Sequence, residues 1–431
     1  MKQTYAAVAV GALVAAPALA AENRIDLIRP DAPELAAHGA HPVGVRQMRF
    51  TDPDRIDIIN VNETQEPLYD RDITAEIWYP AAEGTAPGGT YTARLRDGQT
   101  EVTLQGRATR DATPAAQGQF PLVVISHGYP GNRFLLSHLG ENLASKGYVA
   151  LALDHPDSTY ADQGAFGSTL YNRALDQRFA IDAMATLDDT APALAGITDT
   201  DTVAVLGYSM GGYGALVLGG AGVTEASTEY EWGTPNGLLR RHMAGSDSHE
   251  ALIDPRVKAL IAIGPWGYNT GFWDAEGLDG LRVPTLMMAG SADDVSQYPA
   301  IRAIFEQARG TTRHLLTFEG ANHNAAAPIP APSESWAEVD TLDFAPFEHY
   351  ADAVWDSVRM NNIAQHFATA FLDLHLKGDR DKARYLDLIE RAAEGVHDLG
   401  EDGTPGDDHS YWAGFAPRTA KALRFETLQA D

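Results

Sequence analysis

The chain has 431 residues, with 59 Asp and Glu against 32 Lys and Arg, a formal net charge of −27 and no cysteine. This acidic balance argues against binding to nucleic acid or to an anionic membrane surface, because both need clustered Lys and Arg. The absence of cysteine excludes disulfides, thiolate metal sites and a cysteine nucleophile. With 44% hydrophobic residues the chain can bury a large core, so its chemistry must use Ser, His and carboxylates.

Residues 1–20 have the composition of a secretory signal peptide. Lys2 precedes an apolar stretch over residues 5–16, and Ala18 and Ala20 form the small-residue pattern that signal peptidase reads. The alternative, a transmembrane anchor, is disfavoured because the run is short for a bilayer and rich in Ala and Gly. We therefore expect a secreted or periplasmic protein, with no transmembrane segment in the mature chain.

Residues 22–119 are polar and predict an N-terminal β extension. Arg46–Thr51 and Asp72–Pro80 carry β-forming residues, which suggests antiparallel strands at the edge of a sheet. No linker or internal repeat follows, so residues 21–431 are expected to form a single domain.

Residues 120–324 predict the core of an α/β protein. Apolar runs typical of strands buried on both faces alternate with segments in which apolar residues recur at helical spacing. Such alternation implies βαβ units and a mostly parallel central sheet flanked by helices. The predicted strands cover 121–126, 148–153, 202–206, 257–263, 285–289 and 314–318.

Two segments lie outside this alternation of strands and helices. Residues 225–254 form an insertion, which the sequence leaves open as a lid or as decoration. Residues 325–431 form a C-terminal helical tail, in which Asn361–Lys377 predicts a helix. The end of the tail, Trp412–Phe425, is expected to pack back on the body.

The run Gly207-Tyr208-Ser209-Met210-Gly211 lies between a predicted strand and a good helix start. This is the setting of the G-x-S-x-G turn, in which a serine nucleophile is exposed by a strained strand-to-helix turn. The turn needs residues without bulk two positions before and after the serine, and Gly207 and Gly211 supply them. The alternative is a tight structural turn, which the strand context disfavours.

A nucleophilic serine needs a base, and the base needs an orienting acid. His323 follows the last predicted strand, and Asp293 and Asp294 follow the strand before it. The three groups would then meet at the carboxyl edge of the sheet, in the chain order Ser, Asp, His typical of α/β-hydrolases. Two adjacent aspartates leave the acid open; Asp293 is preferred and Asp294 is the other candidate.

The oxyanion hole is expected to use backbone amides. One is that of Met210, directly after the serine. The other lies after the strand ending at Ser126, where Pro130 has no amide hydrogen and the N–H of Tyr129 is preferred. His127 in the same loop is interpreted as a structural histidine rather than a second base.

These residues resemble the α/β-hydrolase superfamily, and within it the dienelactone-hydrolase-related group that contains platelet-activating-factor acetylhydrolases. The resemblance implies Ser209, Asp293 and His323 as a triad, although dienelactone hydrolases themselves use a cysteine. Gly264-Pro265-Trp266 is similar to the Pro-Trp of cutinase-type polyester hydrolases, which implies that Trp266 grips the acyl group with Tyr129 and Met210. A core tryptophan is the alternative. The matching stretches are Asp72–Pro80, Ser126–Gly131, Leu143–Ala150, Asp154–Asp157 and Gly207–Gly212.

Other features give weaker signals. Asp154, His155 and Asp157 are too close in sequence to converge on a metal, so loop anchoring is favoured. The acidic loop 398–408 does not match the EF-hand pattern, so a solvated loop is favoured over a calcium site. No G-x-G-x-x-G opens a helix after a strand, so neither a nucleotide cofactor nor a metal is predicted.

The sequence therefore predicts a secreted serine hydrolase that cleaves carboxylic esters through an acyl-enzyme. The acidic composition favours a neutral ester, small or polymeric, unless the mouth of the site is locally basic. The alternatives are an amidase or peptidase, a cutinase-like polyester hydrolase and, least favoured, a binding module without catalysis. The sequence makes no prediction of the oligomeric state.

Overall fold

The computed structural model describes residues 22–187, 191–400 and 402–431. The predicted signal peptide, residues 1–20, lies outside the described residues. In the described part of the chain, every helix is too short or too polar to cross a membrane.

The strands of the described chain form two sheets. Ten strands form one sheet in the order β13-β12-β11-β10-β9-β7-β8-β3-β2-β6, and β1, β5 and β4 form a small second sheet. The strands are β1 (Asn23–Arg24), β2 (Val43–Ile56), β3 (Leu68–Pro80), β4 (Gly89–Arg94), β5 (Glu101–Gly106), β6 (Thr109–Arg110), β7 (Phe120–Ser126), β8 (Val149–Asp154), β9 (Thr198–Tyr208), β10 (Val257–Ile263), β11 (Thr285–Gly290), β12 (Arg313–Phe318) and β13 (Leu423–Leu428).

The middle of the large sheet, from β8 to β12, is parallel. β3 and β2 extend one edge in antiparallel orientation, and β13 pairs antiparallel with β12 at the other. The predicted α/β fold with an N-terminal antiparallel β extension is confirmed. The tail contains a helix, as predicted, but it also ends in β13, a sheet strand that the sequence pattern did not predict.

Helices cover both faces of the sheet. α1 (Ser137–Ser145) and α8 (Ser357–Leu376) pack on one face, and α2 (Phe166–Ala185), α4 (Met210–Leu218) and α7 (Tyr298–Gln307) pack on the other. Successive side chains of a strand point to opposite faces and both faces are covered, so most residues of the central strands are buried. The shorter helices are α3 (Pro192–Ala195), α5 (Asp247–Leu252) and α6 (Ala275–Asp279).

The insertion 225–254 forms short 3₁₀ helices and α5. Two buried histidines anchor it: His242 Nε2 lies 2.8 Å from the carbonyl oxygen of Tyr171, and His249 Nε2 lies 3.0 Å from that of Val217. These contacts tie the insertion to α2 and α4, the two helices that flank the serine turn.

The buried histidines predict a loss of stability in acid. Burial lowers the pKa of His138 to about 3, whereas the unfolded side chain titrates near 6.5. Below pH 6.5 the folded state therefore binds fewer protons than the unfolded state. The contribution of His138 to the free energy of unfolding is complete above pH 6.5 and decreases as the pH falls towards 3. We expect His138→Leu to make the free energy of unfolding less dependent on pH, by up to about 1.4 kcal/mol per pH unit.

Urea unfolding between pH 6.5 and 4.5 measures this dependence. His397→Leu, at an exposed position, is the control and should leave the slope unchanged. Equal slopes for the wild type and His138→Leu would contradict the prediction.

Candidate active site

Ser209 occupies the turn between β9 and α4. Its backbone has φ 53° and ψ −112°, a strained conformation for a residue with a side chain. The turn is held from both sides, since the N–H of Ser209 donates to Ile263 at 2.8 Å and its carbonyl accepts from Trp266 at 3.2 Å. These two hydrogen bonds hold the Ser209 side chain at the carboxyl edge of the parallel strands.

The glycines on either side of the turn are required by close backbone contacts. A Cβ on Gly207 would lie 2.1 Å from the carbonyl oxygen of Gly211, and a Cβ on Gly211 would lie 2.1 Å from that of Ser126. The start of α4 therefore packs directly on the end of β7. The sequence requirement for small residues at these two positions thus has a steric cause.

Ser209, His323 and Asp293 form a hydrogen-bonded series. Ser209 Oγ lies 3.0 Å from His323 Nε2, and His323 Nδ1 lies 2.7 Å from Asp293 Oδ2. A carboxylate only accepts, so Nδ1 carries the hydrogen and Nε2 is left as the acceptor for the serine hydroxyl. This is the geometry that a general base needs in order to take the proton of a nucleophile.

The structure distinguishes the two candidate acids by position. The Asp293 side chain is fully buried, and its Oδ1 accepts from the backbone N–H of Val295 and of Ser296, both at 2.9 Å. Asp294 is exposed and lines the cavity in front of Ser209, with no hydrogen bond to His323 in the described chain. Asp293 alone is placed and oriented to hold the imidazole.

Neighbours that the sequence analysis did not single out fix the orientation of His323. The ring of Tyr208 lies 5.2 Å from that of His323, and the Tyr208 hydroxyl donates to Asn324 Oδ1 at 3.1 Å. Gly264 has φ 51°, and a Cβ there would lie 3.2 Å from the imidazole Cε1. The only sequence signal for these roles is adjacency, since Tyr208 precedes the serine and Asn324 follows the histidine.

The two amides expected for an oxyanion hole are free. Neither Tyr129 N–H nor Met210 N–H has an acceptor within the described residues. Met210 is the first residue of α4, where amides lack a partner inside the helix and the helix dipole favours negative charge. Gly128 brings the loop against the serine, since a Cβ there would lie 3.3 Å from Ser209 Cβ.

Side chains of α2 bind the backbone around the site. Arg173 donates to the carbonyl oxygen of His127 at 2.6 Å, and Gln177 donates to that of Gly211 at 2.9 Å. One helix therefore holds both the loop that carries the Tyr129 amide and the turn that carries Ser209. The relative position of the two is fixed by this helix.

Asp176, between these two residues on α2, is the centre of a buried network. It accepts from Arg71 at 2.9 and 3.0 Å, from Arg55 at 3.3 Å and from His155 Nδ1 at 3.0 Å. Burial alone would raise the pKa of this carboxyl, but Arg71, His155 and Arg55 hold it below its usual range. His155 Nε2 in turn lies 2.8 Å from Ser126 Oγ, at the end of β7.

The two histidines of this network are neutral. Burial and then the charge of Arg173 lower the pKa of His155 to about 3 and that of His127 well below its ordinary value. His127 Nδ1 donates to the Gly128 carbonyl at 2.7 Å, and its Nε2 accepts from the His155 N–H at 3.2 Å. Hydrogen bonds thus join Ser126, His155 and Asp176 in the same arrangement as a serine–histidine–aspartate triad. This second series lies inside the core, where it anchors a loop.

Trp266 lies beside the serine turn within a row of aromatic rings. Its ring is half-buried, 5.4 Å from Phe166, which in turn lies 5.0 Å from Tyr129. Met210 is buried beneath the turn, with 2% of its surface exposed. Phe166 therefore lies between Trp266 and Tyr129, and the clamp of Trp266 with Tyr129 and Met210 stays a prediction.

A cavity of about 330 Å³ opens in front of the hydrogen-bonded series. Ser209, His323 and Tyr129 line it, together with Arg96 and His349 from distant parts of the chain. None of its described lining residues comes from the insertion 225–254, and Trp266 lies outside it as well. Neither Arg96 nor His349 was predicted from the sequence.

The other polar clusters have structural contacts. Asp154 accepts from the Arg133 N–H at 2.7 Å, and Asp157 accepts from Arg71 at 3.1 Å, so both anchor loops. Among the described residues, no group of three or more His, Asp and Glu side chains is placed to hold a metal ion. Glu401 of the acidic loop lies outside the described residues.

Comparison with known proteins finds similarity to proteins described as cutinases and to a PET hydrolase-like family model. A family model described as PETase, PET hydrolase-like, matches residues 89–226, a segment that contains Tyr129 and Ser209. Cutinase est2 of Thermobifida alba is 27% identical over 214 residues, covering 49% of this chain and 55% of the relative. Cutinase 2 of Thermobifida cellulosilytica is 27% identical over 214 residues, which cover 49% of this chain and 63% of that relative. The chain thus spans between half and two thirds of these curated relatives.

Among solved structures, a ferulic acid esterase from Streptomyces cinnamoneus superposes with a TM-score of 0.55 at 22% identity, over 80% of this chain and 94% of that one. This likeness concerns the fold. The chain has the α/β-hydrolase fold. Its resemblance to α/β-hydrolase esterases with cutinase similarity is confirmed, whereas the finer resemblance to platelet-activating-factor acetylhydrolases stays a prediction.

The Asp176 network predicts a large cost for removing its central charge. Asp176→Asn removes the buried carboxylate that Arg71 and Arg55 share and leaves them only the partly exposed Asp157 and Asp52, so we expect the free energy of unfolding to fall by about 3–5 kcal/mol. Asp182→Asn is the matched control on the same helix, because that side chain is 48% exposed and should cost at most about 1 kcal/mol. Similar urea midpoints for the two variants would contradict the network's role.

Proposed function

We propose that the protein is a serine hydrolase of carboxylic esters, with Ser209 as nucleophile, His323 as base and Asp293 as orienting acid. The observation that carries this proposal is the continuous hydrogen-bonded series from Ser209 Oγ to Asp293 at the mouth of a cavity. Similarity to cutinases and to a PET hydrolase-like family model supports an ester as the bond that is cleaved.

In the proposed reaction, His323 Nε2 takes the Ser209 proton as Oγ attacks the ester carbonyl. The imidazolium that forms is stabilised by Asp293, whose second oxygen is held by two amides and keeps the carboxylate in place. His323 then gives the proton to the leaving alcohol. Water, deprotonated by His323, releases the acid from Ser209.

The amides of Tyr129 and Met210 would bind the oxyanion. Both N–H groups are without an acceptor in the described chain and belong to the two segments that meet at Ser209, so they are available before the negative charge develops. Each donor of this kind contributes about 10²–10³ to the rate. The α2 contacts to His127 and Gly211 are what would keep the two donors in register.

Export is part of the same proposal. The first 20 residues supply the charge, apolar stretch and Ala18-Leu19-Ala20 ending of a signal peptide. A chain without cysteine forms no unwanted disulfides under the oxidising conditions outside the cytoplasm. The mature chain, 21–431, would then act as a single domain in the periplasm or the medium.

A polyester is the second candidate substrate, favoured by the aromatic row beside the site. From Tyr129 the row continues through Phe166 and Trp266 to Tyr230, whose ring lies 5.9 Å from that of Trp232. Trp232 is 64% exposed, so the row ends at the surface. Aromatic rings of this kind suit contact with an apolar or aromatic polymer chain.

The proposed role of the acid predicts a difference between two adjacent residues. Asp293→Asn favours the wrong imidazole tautomer, so we expect kcat for p-nitrophenyl butyrate to fall by about 10³–10⁴. Asp294→Asn, an exposed carboxylate one residue along, should change kcat less than about threefold. Equal losses in the two variants would contradict the role of Asp293 as the acid.

A comparison of substrates tests the amidase alternative. Faster cleavage of p-nitroanilides than of p-nitrophenyl esters would favour it.

The aromatic row predicts a selective effect on polymer hydrolysis. Trp232→Ala removes the exposed end of the row, so we expect the release of products from an aromatic polyester film to fall about threefold to tenfold. Hydrolysis of p-nitrophenyl butyrate should stay within about twofold. Trp336→Ala, which removes another exposed tryptophan outside the row, is the control. An unchanged rate on the film would exclude the row from polymer binding.

A further inference from the structure

Two side chains from distant parts of the fold line the cavity in front of Ser209. One is the guanidinium of Arg96, in the turn between β4 and β5, and the other is the imidazole of His349, at the end of a short 3₁₀ helix. The proposed hydrolysis gives neither group a role. They lie more than 250 positions apart in sequence, so only the fold brings them together.

Arg96 differs from the other arginines near the site, because even Arg173, which also lacks a carboxylate partner, donates to the carbonyl oxygen of His127. Arg71, Arg55 and Arg133 are all paired with carboxylates. Arg96 is half-buried, with its Cζ 5.7 Å from the centre of the Phe344 ring, and has no carboxylate partner within the described residues. In a chain with 59 acidic and 32 basic residues, an unpaired guanidinium facing a cavity leaves its charge available to a ligand.

His349 lines the same cavity with a half-buried ring. Its Nε2 is inaccessible to solvent and has no hydrogen-bond partner in the described chain, which leaves Nδ1 as the nitrogen that can meet a ligand. Burial, and then the charge of Arg96, lower the pKa of His349 to about 3. The ring is therefore neutral near pH 7 and can donate one hydrogen bond.

The segment that carries His349 is held by the residues beside the proposed triad. The Asn324 amide donates to the carbonyl oxygens of Glu348 at 2.9 Å and of Ala351 at 2.7 Å. The Tyr208 hydroxyl donates to the same Asn324 side chain. His349 is thus fixed relative to Ser209 rather than placed on an independent loop.

We propose that Arg96 and His349 form a subsite for a carboxylate of the substrate, so that the protein hydrolyses esters that carry a free carboxylate. The inference rests on the proposed esterase function and specifies its substrate class. A planar carboxylate matches the fork of a guanidinium, which donates two parallel hydrogen bonds to it. The acidic composition of the chain disfavours anionic substrates in general, and Arg96 is the local exception.

The other charged groups that line the cavity are two carboxylates. Asp294 and Glu348 also line the cavity, but both are exposed and therefore screened by solvent. Arg96 is half-buried, where its interaction with a bound anion is stronger.

The test compares two esters of equal length, methyl hexanoate and monomethyl adipate, which differ by a terminal carboxylate. We expect Arg96→Gln to lower kcat/KM for monomethyl adipate about tenfold or more, mainly through KM, and to change methyl hexanoate less than about twofold. Arg96→Lys should restore part of the loss. Arg94→Gln is the matched control, because Arg94 is an exposed arginine two residues away that pairs with Glu101. His349→Phe keeps the ring and removes the nitrogen, and should also affect only the adipate ester.

An equal loss on both esters, or no loss on either, would overturn the subsite. Calorimetry with Ser209→Ala separates this result from a failure of the proposed function. In one outcome, the wild type hydrolyses neither ester while Ser209→Ala still binds monomethyl adipate. Loss of that binding in the double variant Ser209→Ala/Arg96→Gln would then support the subsite. Absence of binding to Ser209→Ala would overturn it.

Discussion

The close contact between the end of β7 and the start of α4 is the constraint on which the site depends. The backbone of Gly211 lies so near Ser126 that no side chain fits between them. This contact sets the distance between the loop after β7 and the turn at Ser209. Because the loop carries the Tyr129 amide and the turn carries the Met210 amide, the same contact sets the width of the proposed oxyanion hole.

The polar side chains of α2 hold the two segments of this contact in place. Arg173 and Gln177 bind the two backbone segments directly, and Asp176 binds the arginines and the histidine behind them. A buried carboxylate shared by several cations is costly to assemble, but it is also costly to disturb. A site that must bind a developing negative charge benefits from donors that do not reorganise.

Much of the proposed site could be predicted from the sequence because its signals are local. Ser209, Met210 and the two glycines lie in one short segment, and the strand order places His323 and Asp293 at the same edge of the sheet. The choice between Asp293 and Asp294 needed the structure, because adjacent loop residues share every sequence signal and differ only in direction. Leu423–Leu428 was not predicted as a strand, because nothing in its pattern shows that it pairs with β12.

The residues that the sequence could not reveal act across long distances along the chain. Arg96 belongs to a turn of the small N-terminal sheet, and His349 belongs to the C-terminal tail. Neither lies in a motif, and only the folded chain places both beside Ser209. The structure thus adds a basic group to the mouth of a site that composition alone describes as acidic.

The most direct test of the account is whether Ser209 is an activated nucleophile. Intact-mass and peptide mass spectrometry after exposure to a fluorophosphonate would locate the covalent adduct. The account predicts one adduct, at Ser209, that disappears in Ser209→Ala and forms much more slowly in His323→Ala. A folded native protein that forms no adduct, or forms it at another serine, would contradict it.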